Sequence, residues 1–204
     1  MSNFPIKNNW RNLYARWLKA ILGKICLAII VKKETIIIII DKKYILQVIS
    51  FLKNHSNCLY QCLCDLSGTD FFIKQNRIEV AYQLLSVSYS DRIIVKVNIS
   101  TKDKIISITK IYPAANWFER EVFDLFGVFF KNHPDLRRIL TDYGFEGNPL
   151  KKDFPLVGYT EVRFDFIKKR VICDYIDITQ EFRSIKPFTK KNWNYLPNFY
   201  FSLL

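Results

Sequence analysis

The chain has 204 residues and a formal net charge of +12, with half of its residues hydrophobic and a quarter charged. That length and balance suit one globular domain with room for an appended tail, and they exclude wholesale disorder. Seven of the bases (Lys7, Arg11, Arg16, Lys19, Lys24, Lys32, Lys33) and no acid fall in residues 1–33, leaving 24 bases against 19 acids in a mildly basic body that has no RNA-binding motif, so no nucleic-acid partner is expected.

The N-terminal segment MSNFPIKNNWRNLYARWLKAILGKICLAII is basic and partly amphipathic, as a mitochondrial targeting peptide would be. Its low serine content favours the other reading, a first helix packed by Trp10, Leu13, Trp17, Ala20 and Ile21, which recur at spacings of three and four. The apolar runs Ile25 to Val31 and Ile36 to Ile40 are broken by Lys32, Lys33 and Glu34, whereas a spanning helix needs ~20 largely uninterrupted apolar residues. No transmembrane segment is expected.

Thr35 to Ile40 is β-branched throughout and reads as a buried strand. Tyr44, Ile45, Val48, Ile49 and Leu52 then recur at helical spacing, and Cys58 to Leu66 reads as the next strand. The arms RIEVAYQLLSVSY and RIIVKVNIS, separated by Ser90 and Asp91, predict an antiparallel hairpin, and KIISITKIYP a further strand ended by Pro113. Strands joined by short turns cannot all be parallel. The predicted fold class is α+β: a largely antiparallel sheet with covering helices and an extended C-terminal tail.

Asn116 as N-cap, Glu119 three residues on and Gly127 as stop predict a helix from about Trp117 to Phe126. Phe118, Val122, Leu125 and Phe126 share its apolar face, and Glu119, Arg120, Glu121 and Asp124 lie mostly elsewhere. From Thr141 the chain turns glycine- and proline-rich, which divides it into an α+β core domain at 1–140 and a docking segment at 141–204. Within the latter, TEVRFDF and RVICDYIDI predict a second hairpin. The aromatic segment beyond Thr179 has no period that gathers Phe182, Phe188, Trp193, Tyr195, Phe199, Tyr200 and Phe201 on one face, so it is expected to strap across a neighbouring subunit.

Between Trp117 and Leu140 the chain gathers four carboxylates (Glu119, Glu121, Asp124, Asp135), three arginines (Arg120, Arg137, Arg138) and His133, one of only two histidines. His133 with Glu121 or Asp124 could serve a free enzyme as acid/base or metal ligands. A lone histidine before a proline is more often a hydrogen-bonding residue of a turn, and a charged helix face is by default solvated. The density of these charges beside aromatic residues instead suits a polar network bracing a loop or a partner.

Of the five cysteines, Cys58, Cys62 and Cys64 lack the CxxC spacing of zinc or iron–sulfur sites and alternate along a predicted strand, as small core residues would. An odd count without a secretory signal points to a reducing compartment. No GxGxxG, GxxxxGK[S/T] or GxSxG motif occurs, so nothing in the chain predicts a nucleotide, flavin, metal or cluster, and no cofactor is expected.

EREVFDLFGVFFKNHPDLRRIL at Glu119 to Leu140 closely resembles the hallmark of the peripheral-arm subunit of respiratory complex I that is called subunit 9 in mitochondrial genomes and has a counterpart in the bacterial enzyme. YQLLSVSYSDRIIVKV (Tyr82 to Val97), NPLKKDFPLVGYTEVRFD (Asn148 to Asp165) and ITQEFR (Ile178 to Arg183) are similar to that family in the same order. The resemblance implies a cofactor-free core subunit of proton-pumping NADH:ubiquinone oxidoreductase, with other peripheral-arm subunits as partners, chiefly the quinone-site subunit, on the matrix side of the mitochondrial inner membrane. It also implies a structural and assembly role for Glu119, Arg120, Glu121, Asp124, His133, Asp135, Arg137 and Arg138, and no catalytic role. After Arg183 the sequence departs from the family, with Ser184 to Phe188 and a delayed Trp193. Its richness in Ile, Lys, Asn, Phe and Tyr suits an AT-rich coding genome, which hints at a mitochondrial gene and would remove the need for a presequence.

Overall fold

A computed structural model describes residues 6–32, 35–72 and 74–180. Two compact units emerge, residues 1–157 and 158–204. The first unit runs α1 (Ile6–Leu22), β1 (Cys26–Val31), β2 (Ile36–Ile40), α2 (Ile45–Asn54), β3 (Cys62–Asp70), β4 (Ile78–Ser86), β5 (Asp91–Ile99), β6 (Lys104–Ile106), α3 (Ala115–Phe126) and β7 (Phe129–Lys131); the second contains β8 (Thr160–Asp165) and β9 (Arg170–Tyr175). Among the described residues, no helix is long and apolar enough to cross a membrane.

Five strands form one sheet in the order β1-β2-β5-β4-β3. Its pairings are antiparallel except at the centre, where β2 runs parallel to β5 with Ile36 opposite Ile93 and Ile40 opposite Val97. The α+β class with a largely antiparallel sheet therefore holds, with one parallel seam. Strict alternation in β4 and β5 sends Ile78, Val80, Tyr82, Leu84, Ile93, Val95, Val97 and Ile99 inward, while Gln83, Arg92 and Asn98 face solvent. The inward row packs with Leu18 and Leu22 of α1, Ile45, Val48, Ile49 and Leu52 of α2, and Val122 and Phe126 of α3. Each such side chain contributes roughly 1.5–3 kcal/mol by leaving water.

The predicted hairpins are present, as β4–β5 and as β8–β9. Other elements differ in instructive ways. Helix α1 buries Ala15, Leu18 and Leu22 and packs the predicted Trp17 against the core, but leaves Trp10, Leu13, Ala20 and Ile21 exposed, so its buried face is rotated from the one predicted. Strand β3 begins at Cys62 because Cys58 and Leu59 donate to the His55 carbonyl and Tyr60 to the Leu52 carbonyl, tying that stretch to the end of α2. Cys58 is buried as expected, but Cys62 and Cys64 are exposed. The strand expected across Lys104 to Pro113 ends at Ile106, and β6 pairs in parallel with β7. Beyond it the Ile108 amide is taken by a side chain of α3. Helix α3 approaches the sheet at Gly68, where a Cβ would lie 2.7 Å from the ring of Phe126. The aromatic segment expected to act as a strap lies, from residue 181 onward, outside the described residues.

Candidate functional site

Helix α3 starts at Ala115 without a side-chain cap, so Asn116 sits inside the first turn. Gly127 ends it in the left-handed region at φ 71°, its N–H donating to the Phe123 carbonyl. A side chain at Gly127 would meet Asn148 Oδ1 at 2.6 Å, since Asn148 folds back to cap the helix with Nδ2 2.9 Å from the Asp124 carbonyl. The Leu150 N–H donates to the Leu125 carbonyl at 3.1 Å. The glycine- and proline-rich loop thus satisfies carbonyls that the end of a helix leaves open.

Asp124 organises the segment that follows. Its side chain is fully buried, with Oδ2 accepting from the backbone N–H groups of Ile139, Leu140 and Thr141 at 3.2, 2.9 and 2.9 Å. Oδ1 accepts from the Thr141 hydroxyl at 2.7 Å and from Arg138 at 2.8 Å. Burial alone would raise this carboxyl, but the donors from Thr141, Leu140 and Arg138 overcome it and hold the group down at about 2. Asp124 is an anion whose acceptor sites are committed to structure.

Glu119, one turn earlier, is equally buried and held in the opposite way. Oε1 accepts from the Ile108 N–H at 2.8 Å, whereas Oε2 has no hydrogen-bond partner and lies 3.9 Å from His133 Nε2. Burial pushes the carboxyl up to about 7, against the lowering effect of Ser107 and the Ile108 amide. His133 Nδ1 accepts from the Asp135 N–H at 3.1 Å, so Nε2 carries the proton and faces the Asn116 carbonyl at 3.2 Å. A carboxyl raised by burial costs nothing below about pH 4.5 and progressively destabilises the fold as pH rises to 7. Glu119→Gln is therefore expected to raise stability at pH 8 by about 3 kcal/mol and to change it little at pH 4.5. Urea unfolding at the two pH values measures this, and equal effects at both would refute it.

The three arginines do different things. Arg120 is buried and donates to the carbonyls of Arg137 and Arg138 at 3.0 and 3.2 Å, with its guanidinium 5.1 Å above the exposed ring of Trp117. Arg138 bridges Asp124 to the Gly147 carbonyl at 2.9 Å. The Arg137 side chain is 73% exposed and pairs with Asp135, itself half-exposed, at 3.0 Å. Glu121 is half-buried on α3. Glu119, Arg120 and Asp124 thus do not form the solvated face that is the default for a charged helix side: they point inward, Glu119 to the Ile108 amide before the helix and Arg120 and Asp124 to residues 137–141 after it.

A second charged cluster was not signalled by the sequence. Arg77 donates through Nε and Nη2 to the fully buried Asp70, both at 2.6 Å, and through Nη1 and Nη2 to Asp153 at 3.0 and 2.8 Å. The Lys152 N–H also reaches Asp70 at 2.7 Å. One planar fork thereby ties β3 to the far end of the loop that caps α3. Asp153 lies 76 residues from Arg77, and only an Asp and an Arg flanking the β3–β4 connection could have hinted at the nearer pair.

Chemically, this arrangement supports folding and docking better than turnover. A general base must reach a substrate proton, yet neither His133 nor Asp124, nor the neighbouring Glu119, has exposed side-chain surface. Nor do the cysteines suit a cluster. The Cys58 thiol accepts from the Tyr14 hydroxyl at 3.3 Å inside the core, Cys26 is buried, and Cys62 and Cys64 lie on β3. Cys173 belongs to the second unit. Among the described residues, no three Cys, His, Asp or Glu side chains group as metal ligands, and an iron–sulfur cluster needs about four.

Residues 38–160 match the family described as "Respiratory-chain NADH dehydrogenase, 30 Kd subunit". The chain is 55% identical over 140 residues to NADH-ubiquinone oxidoreductase subunit 9 of Reclinomonas americana, an alignment covering 69% of each protein. It is 42% identical over 200 residues to NADH dehydrogenase (ubiquinone) iron-sulfur protein 3 of Patellifolia webbiana, covering 95% of this chain and 98% of that one. The mitochondrial 30.4 kDa subunit of Neurospora crassa NADH-ubiquinone oxidoreductase is 47% identical over 173 residues, or 85% of this chain and 61% of the relative. Among solved structures, a chain from the membrane-bound sulfane sulfur reductase, an archaeal respiratory membrane complex, shares the fold with a TM-score of 0.60 at 22% identity, covering 85% of this chain and 97% of that one.

Proposed function

Because this chain belongs to the 30 kDa subunit family of the respiratory-chain NADH dehydrogenase, we propose that it is a cofactor-free core subunit of mitochondrial NADH:ubiquinone oxidoreductase that shapes and docks its neighbours. The observation that carries this reading is that His133 and Asp124, which a catalytic assignment would pair, are sealed inside the fold, Asp124 with its acceptor sites filled by the Ile139–Thr141 turn. The same network holds out a loop whose apolar side chains face solvent, with Leu140, Tyr143, Leu150 and Leu156 all exposed. The β8–β9 hairpin likewise exposes Val162, Phe164, Phe166, Val171 and Tyr175, and two strands alone are marginal in water. Apolar surface of that extent marks contact with other proteins. The quinone-site subunit on the matrix side of the inner membrane is the partner this reading assigns, with the segment beyond Thr179 as a strap. Glu119, Arg120, Asp124, His133 and Arg138 then brace the docking surface, while Glu121, Asp135 and Arg137 belong to its rim.

Arg138→Ala is expected to lower the amount of assembled oxidoreductase while leaving turnover per assembled complex unchanged, and Arg137→Ala to leave both near wild type, as exposed ion pairs contribute only about 0–1 kcal/mol. Native gels with in-gel NADH oxidation separate the two quantities. A fully assembled but inactive Arg138→Ala complex would assign the network to catalysis instead.

A further inference from the structure

We propose that the outer edge of β1 is a strand-addition site for an extended segment of another protein that carries apolar side chains and, on the side facing α1, carboxylates. β1 ends the five-stranded sheet, pairing only with β2 among the described residues, so its other edge offers a row of backbone N–H and C=O groups. Proteins normally blunt such an edge with charge, proline or cover, yet β1 reads CLAIIV, with Leu27 66%, Ile30 45% and Val31 37% exposed. Beside it lies a cleft of about 430 Å³ floored by Leu13, Ile29 and Val31 and rimmed by Arg16 and Lys19. Both rim bases are exposed and, with Lys24 and Lys32, make no ion pair among the described residues.

The charges select the occupant. A second copy of the chain would bring the same bases to the same edge. The chain's own residues 181–204 carry four bases against one acid, so they repel it too. An incoming strand from a different protein that pairs with β1 would extend the sheet, lay alternate side chains into the cleft and bring its carboxylates to Arg16 and Lys19. Main-chain pairing then supplies affinity and the alternating pockets supply selectivity. This surface lies on β1 and α1, apart from the network around α3, and the binding test below does not depend on the oxidoreductase assignment.

The test uses the full chain and a capped peptide alternating valine and glutamate. The peptide is expected to bind and to slow amide exchange across Cys26–Val31. Three changes should each weaken binding by about tenfold or more: lysine in place of glutamate, N-methylation of alternate peptide amides, and the double variant Arg16→Glu/Lys19→Glu, whose exposed positions leave the core untouched. Equal affinity of the N-methylated peptide would remove strand pairing from the proposal, and unchanged binding to the double variant would remove the charge argument. Protection of β1 by concentration-dependent dimers, or by phosphatidylglycerol vesicles but not the peptide, would assign the edge to self-association or to a lipid surface and overturn the proposal.

Discussion

Asp124→Ala is expected to lower the unfolding free energy of the isolated chain by roughly 3–5 kcal/mol at pH 7, since a hydrogen-bond donor left without its acceptor inside a fold costs about 1–3 kcal/mol. The substitution leaves three backbone N–H groups at Ile139, Leu140 and Thr141 and the Arg138 guanidinium without their common acceptor. No single water can replace two oxygens that accept five donors. The sign with pH is fixed by the depressed carboxyl. Its contribution is fully present above the ordinary value of 3.8 and is lost as pH falls through about 2. Chemical denaturation between pH 7 and pH 2 measures both, and the gap between the wild-type and variant curves should narrow by about 2 kcal/mol at the acid end. A gap that persisted unchanged at pH 2 would mean that Asp124 acts through packing and not through its charge.

Arg77→Met should cost about 3 kcal/mol, the lower end of the same range because the guanidinium keeps some solvent contact. Asp70 has no exposed side-chain surface and is held below the usual carboxylate range chiefly by its two hydrogen bonds to Arg77. Without them it retains the Lys152 amide and must accept a proton or admit water. Asp153→Asn, at a half-exposed position, should cost no more than about 1 kcal/mol. Urea unfolding of both variants checks the ranking, and equal losses would mean that the fork is held from the Asp153 side.

How much of this was legible in the sequence depended on the range of the interactions. The β-branched and aromatic arms from Ile78 to Ile99 with their short polar break named the hairpin correctly, because strand propensity is written in a segment's own residues. Spacing also found Ile45, Val48, Ile49 and Leu52. In α1 the same procedure placed the face wrongly except at Trp17: Trp10 and Leu13 look like core by hydrophobicity, yet Ala15 and Leu18 are the ones buried. Local spacing cannot tell which of two apolar stripes meets a partner, when some apolar surface stays outside in any fold. On α3 the density of charge around Glu119, Arg120 and Asp124 pointed to a polar network but not to the groups that complete it. Those groups come from Ile108 and from residues 137–141, and periodicity within the helix holds no information about either. The Asp70–Arg77–Asp153 fork was illegible for the same reason, since it closes across 76 residues.

The parallel seam between β2 and β5 also sets an order on synthesis. Ile36 pairs with Ile93, so a run of five isoleucines leaves the ribosome well before its inner neighbour has been translated, a wait of about 3–11 s at ordinary elongation rates. In that interval an uncharged β-branched segment of this kind is the type most prone to stack with copies of itself. The adjacent β1, reached through a short connection, can pair with its outer edge almost at once, and helix α2 follows directly behind. The nascent chain thus brings its own temporary cover for the stickiest strand in the molecule, until the hairpin that completes the sheet arrives.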